Sequence, residues 1–99
     1  MAGVHTIRPT GDIDAATVDP LREELLALVE AEHPDRLVID LTDVTFMDST
    51  GLGVLVRVRN AQLEHGGDVA VVNAIPRVQR VLTITGLDAA FTPDPAAGP

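Results

Sequence analysis

Between Phe46 and Gly53 the chain passes from an apolar strand end into an apolar helix start through a polar hinge, Asp48-Ser49-Thr50. This junction constrains the fold more than any other stretch, because strands that alternate with helices build layered α/β structure. Asp48 has the short carboxylate of an N-cap and can accept hydrogen bonds from unpaired amides of the first turn. Ser49 and Thr50 then fall in that turn, where free N–H groups and the helix dipole favour an anion such as a phosphate. Gly51 and Gly53 cost a helix roughly 1 kcal/mol each relative to alanine, which calls for a reason. Without side chains, they leave one face of the turn bare enough for another protein's backbone to approach. The hinge therefore reads as a phosphorylatable, partner-accessible helix start.

The rest of the chain supplies further elements of the same kind. Val4-His5-Thr6-Ile7-Arg8 alternates as a half-buried strand does, and Pro9 ends it. Gly11 to Ala16 reads as a turn bearing two acids, Asp12 and Asp14, with Thr17 or Asp19 placed to cap a helix. Val18, Leu21, Leu25, Leu28 and Val29 recur at helical spacing up to His33-Pro34-Asp35, where the proline closes the helix. Leu37-Val38-Ile39-Asp40-Leu41 suits a central strand buried on both faces. A helix from Ser49 to about His65 is apolar around most of its girth, so it packs against a sheet on one side and another element, or a partner, on the other, and Gly66-Gly67 ends it. Val69 to Val72 forms another buried strand. Pro76 then opens a helix that turns Val78, Val81 and Leu82 inward and stops at Gly86. The expected fold is a single α/β domain over residues 1–93, with a mixed, mostly parallel sheet of about four strands and helices packed on it. Residues 94–99, rich in Pro, Ala and Gly, are expected to be a disordered tail.

Composition narrows the function classes. With 99 residues there is room for one domain, and its only aromatic residues besides histidine are Phe46 and Phe91, so the core must be aliphatic. Cysteine is absent, which excludes disulfides and thiolate metal sites. Fifteen acids against seven bases give a net charge of −8, which opposes binding to nucleic acid or anionic membranes. No apolar run approaches the ~20 residues of a membrane span, and the N-terminus lacks a secretory pattern, so a cytoplasmic protein is expected.

The same motifs carry a resemblance. Asp48-Ser49-Thr50-Gly51-Leu52-Gly53, preceded by Leu37–Leu41 and by Gly11-Asp12-Ile13-Asp14 and followed by Gly66-Gly67 and Gly86-Leu87, resembles the STAS-domain anti-sigma factor antagonists of bacteria. The similarity runs from about Val4 to Phe91. It implies a non-enzymatic binding module that regulates transcription by partner switching. Unphosphorylated, such a module binds an anti-sigma factor of the ATP-dependent serine-kinase type and releases a sigma factor. Phosphorylation of Ser49 switches it off and a serine phosphatase restores it. Thr50 is the alternative acceptor. The resemblance also implies that Asp14, matching the last acid of the family's Gly-Glu-Leu-Asp, lies beside the serine and helps bind the kinase, with Asp12 in the preceding glutamate's place. Asp12, Asp14, Asp48, Thr50, Gly51, Leu52 and Gly53 are the expected partner-binding residues. At the ends the chain departs from the family: three residues precede Val4, too few for its opening strand, and Thr92-Pro93-Asp94-Pro95 cannot form its last strand or closing helix. Both losses leave sheet edges less protected.

Competing chemistries find little in the residues. Ser49 lacks a Gly-x-Ser-x-Gly elbow, and His5, His33 and His65 fall on a strand or at helix ends, with no sign that any approaches it. These lone histidines and scattered acids form neither a zinc site nor a calcium loop, so no catalytic residue, metal or cofactor is expected. The chain is expected to be a monomer or weak dimer. The alternative function is a STAS module of a transporter or multi-protein signalling complex that is never phosphorylated.

Overall fold

Leu37, Val38 and Ile39 are all buried, as a strand covered on both faces requires. They lie in β3 (Arg36–Asp40), the middle of a three-stranded parallel sheet between β1 (Val4–Ile7) and β5 (Asp68–Val72). A second pair, β2 (Thr10–Ile13) and β4 (Asp43–Met47), is also parallel. The described residues also form α1 (Val18–Glu32), α2 (Ser49–Glu64) and α3 (Pro76–Ile84), with a 3-10 turn at Leu87–Ala90. These elements come from a computed structural model that describes residues 3–91. The expected tail at 94–99 lies outside the described residues.

The α/β class agrees with the sequence reading, and the strands differ from it in three respects. Among the described residues there are five segments in two sheets instead of about four in one, and all three pairings are parallel. Thr10–Ile13, expected to belong to a turn, is a strand. Gly11 and Asp12 are poor strand formers, but pairing with β4 overrides that local preference. The two sheets separate where the backbone cannot continue its ladder. Pro9, between the rungs Ile7↔Ile39 and Thr10↔Asp43, has no N–H to donate. Opposite it, the Thr42 N–H is diverted to Asp40 Oδ1 at 2.9 Å, forming a local turn. Thr42's hydroxyl and N–H both donate to the Asp40 carboxylate, and together they hold its pKa below the ordinary aspartate value.

The helices bury the faces that periodicity assigns them. In α1, Val18, Leu25 and Val29 are buried, and His33 closes the helix in a left-handed conformation with its N–H on Val29 O. In α2, Leu52, Val54, Leu55 and Val58 are buried, because the helix lies between α1 on one side and β4 and β5 on the other. Gly66 ends α2 with φ +82°, a conformation that suits glycine. Among the described residues, β1 and β5 have no strand on their outer sides.

Among the described residues, Gln62 is the one polar side chain in the core, and it fastens the last turn of α2 to two loops. Its Nε2 donates to Pro34 O at 2.6 Å and to Asp68 O at 3.2 Å, and the residue is 0% exposed. Gln62→Leu keeps the volume but takes the side-chain donor away from both carbonyls. It also removes an Oε1 that has no partner among the described residues, which offsets part of the loss. The net cost is expected to be about 1–2 kcal/mol. A urea titration showing a lower midpoint with an unchanged slope would bear this out, and an unchanged midpoint would refute it.

Candidate functional site

Strands β2 and β4 run parallel and therefore end side by side. Their last rung is Ile13↔Met47, and the Asp48 N–H extends the pairing by donating to Ile13 O at 3.3 Å. Asp14 and Asp48 thus leave the sheet next to each other, one entering the turn to α1 and the other opening α2. Asp48 is the N-cap of α2, as expected, with extended backbone geometry. Its Oδ1 accepts from Thr50 N at 2.9 Å and Gly51 N at 3.3 Å. Ser49 and Thr50 occupy the first positions of the helix and both are exposed.

The same strand ends position the other two acids. Between Gly11↔Val44 and Asp12↔Phe46 the register slips by one residue, so Thr45 is the extra residue of a β-bulge. Its hydroxyl donates to Asp12 Oδ1 at 2.7 Å and holds that exposed carboxylate in place. Asp14 Oδ1 accepts from the Ala16 N–H at 2.9 Å. Thr17 sits at the N-cap position of α1, yet its side chain makes no cap bond. Its hydroxyl donates to Asp12 O at 2.7 Å and accepts from Asp14 N at 3.0 Å, which closes the turn. These positioning roles of Thr45 and Thr17 escape sequence reading, because a bulge has no one-residue signature. Phe46, the register partner of Asp12, is 41% exposed and adds an apolar ring at this strand end.

Two expectations for the helix start change. An anion niche of free amides was expected there, but the chain's own Asp48 carboxylate occupies two of those N–H groups. Gly51 was expected to offer a bare outer face, but it is buried. A Cβ on it would stand 2.7 Å from Ile13 Cγ2, 2.9 Å from Met47 Cγ and 3.0 Å from Ile13 O. Its missing side chain lets α2 pack against the ends of β2 and β4. Leu52 is also inside, at 3% exposure. Gly53 does face open space, with nothing within 4 Å of a built Cβ. The surface is therefore made of Asp12, Ser49, Thr50 and Gly53, with Asp14 and Asp48 half-buried among them. Among the histidines, His65 is far from Ser49: it caps the other end of α2, about 24 Å away by helical rise. They are not all solitary either, since His33 and His65 stack on each other.

Comparison with known proteins agrees with this architecture. The STAS domain family model matches residues 2–96. The anti-sigma-B factor antagonist of Bacillus subtilis (strain 168) is 43% identical over 77 residues, which span 78% of this chain and 69% of that protein. The crystal structure of an anti-sigma factor antagonist from Mycobacterium paratuberculosis superposes with a TM-score of 0.82 at 35% identity, covering 96% of this chain and 80% of that one. The STAS domain of a SulP transporter from Vibrio cholerae has a TM-score of 0.75 at 22% identity, covers 92% and 69%, and is alike in fold alone. No helix among the described residues is long and apolar enough to cross a membrane. The anti-sigma antagonists are binding and regulatory proteins, not enzymes. With its family match and its relatives in agreement, the chain belongs to the STAS domain family and, within it, to the anti-sigma factor antagonists.

Proposed function

We propose that this chain binds an anti-sigma factor while Ser49 is free and loses it when Ser49 is phosphorylated. The observation that carries the reading is the exposed Ser49 hydroxyl directly after the capping Asp48, on the surface shared with Asp12 and Thr50. Relatives named as anti-sigma factor antagonists support the partner class. The partner is an anti-sigma factor of the ATP-dependent serine-kinase type, which phosphorylates Ser49 from ATP, and a serine phosphatase reverses the modification. Binding the partner frees a sigma factor in the cytoplasm. The chain contributes no catalytic group and needs no cofactor.

The switch is local. A phosphate brings about −1.5 to −2 charges and three acceptor oxygens. Asp48 already fills the Thr50 and Gly51 amides and repels a second anion, so the phosphate projects outward instead of folding back. The strand pair and helix stay in place, while a partner surface shaped for a hydroxyl meets bulk and charge.

Incubation with the cognate kinase and ATP, followed by intact mass and site mapping, tests the assignment. One phosphate is expected on wild type and none on Ser49→Ala, and modification confined to Thr50 would move the switch. Amide shifts of the phosphoprotein should change mainly over 12–14 and 48–53. Shifts extending through Val69–Val72 and Val78–Leu82 would mean an internal rearrangement and defeat the local account.

A further inference from the structure

The C-terminal ends of α1 and α2 come together at the end of α2 farthest from Ser49. His33 closes α1, His65 closes α2, and their rings stack with centroids 4.0 Å apart and planes 17° from parallel. Glu30, in the last turn of α1, brings Oε1 to 3.3 Å from His65 Nε2. One ligand atom from each of these three residues lies within 4.8 Å of the other two. Helix C-termini carry partial negative charge, which a basic side chain in the last turn commonly answers. Neither α1 nor α2 has a basic residue there, and Glu32 and Glu64 end them with further carboxylates. Two negative helix ends thus converge on a pair of imidazoles and a carboxylate.

We propose that Glu30, His33 and His65 bind a divalent transition-metal ion of the zinc class. Two imidazoles and one carboxylate are a donor set that zinc accepts in tetrahedral geometry, with water in the fourth position. Magnesium and calcium prefer oxygen donors and suit these residues poorly. Tetrahedral zinc needs donor atoms about 3.3 Å apart, each imidazole holding the ion in its own ring plane, so the three must close by up to about 1.5 Å from their widest spacing and the two rings must swing out of their stack. The Glu30 side chain is 71% exposed and His33 is at the surface, so side-chain rotation can supply that movement. The bound ion would clamp α1 to α2 beside the buried Gln62–Pro34 hydrogen bond. The site lies about 24 Å along α2 from Ser49 and does not depend on the phosphorylation reading.

Calorimetric titration of the full, untagged chain with zinc chloride, and visible absorption with cobalt(II), test the site. One ion per chain is expected, with zinc tighter than cobalt, tetrahedral cobalt absorption, and a melting temperature raised by about 10 °C at a hundredfold excess over Kd. His33→Asn keeps a residue that tolerates the left-handed cap. It and His65→Gln should each weaken zinc binding about tenfold or more, Glu30→Gln by less, and His5→Ala not at all. Metal-free melts of the histidine variants within a few degrees of wild type would separate lost ligands from lost fold. Zinc binding that survives in the His33→Asn, His65→Gln double variant, or its absence from wild type, would overturn the proposal. The contact would then be helix-end stacking and a Glu30–His65 hydrogen bond alone.

Discussion

Gly51→Ala is expected to melt clearly below wild type, whereas Gly53→Ala should melt at or above it. Both changes add one methyl group to the same helix and bring the same intrinsic gain of about 1 kcal/mol. At Gly53 the methyl enters open space, so the gain survives. At Gly51 it would stand 3.0 Å from the Ile13 carbonyl oxygen as well as against two side chains. Ile13 and Met47 can rotate or shift, but the carbonyl belongs to the last rung of β2 and accepts from Asp48 N–H. Relief therefore requires α2 to move off the strand ends, and overpacking of that kind costs about 1–3 kcal/mol or more. The net loss is expected to be about 1–2 kcal/mol, or roughly 5–15 °C in a domain of this size. Thermal melts of the two variants side by side decide it, and equal shifts would show that α2 does not pack as described. Gly53→Ala has a second use. If the partner covers this face, the more stable protein should bind more weakly.

Phosphorylation of Ser49 should produce the largest change in affinity. Placing a double negative charge against a surface matched to a hydroxyl costs several kcal/mol, which corresponds to about 10²–10³-fold in Kd. Ser49→Ala removes only an exposed hydroxyl and leaves the Asp48 cap intact, so its fold and affinity should stay near wild type. Ser49→Asp carries half the charge and less bulk, and should fall between the two. Titrations of the four species against the kinase decide the matter. Equal affinities for wild type, Ser49→Asp and phosphoprotein would sink the switch.

What could be read from the chain follows the range of the interactions involved. The Asp48 cap, the apolar faces of α1 and α2, the stop at Gly66 and the doubly buried β3 all rest on contacts within a few residues, and those leave periodic or compositional traces. The surface position of Ser49 follows from the same local grammar, because it is the first residue after a cap. Other features required neighbours distant in sequence. Thr10–Ile13 is a strand only because β4 lies beside it, despite a Gly-Asp pair that favours turns. Thr45 holds Asp12 only because the register slips by one residue. Gly51 and Gly53 look alike in the sequence and differ entirely in space, one wedged against Ile13 and Met47 and the other open. His33 and His65 look solitary because 31 intervening residues separate them, yet the packing of α1 on α2 stacks their rings. Capping and amphipathicity are decided within a turn or two of backbone, whereas side-chain partnership across elements depends on register and helix docking, which only the folded chain sets.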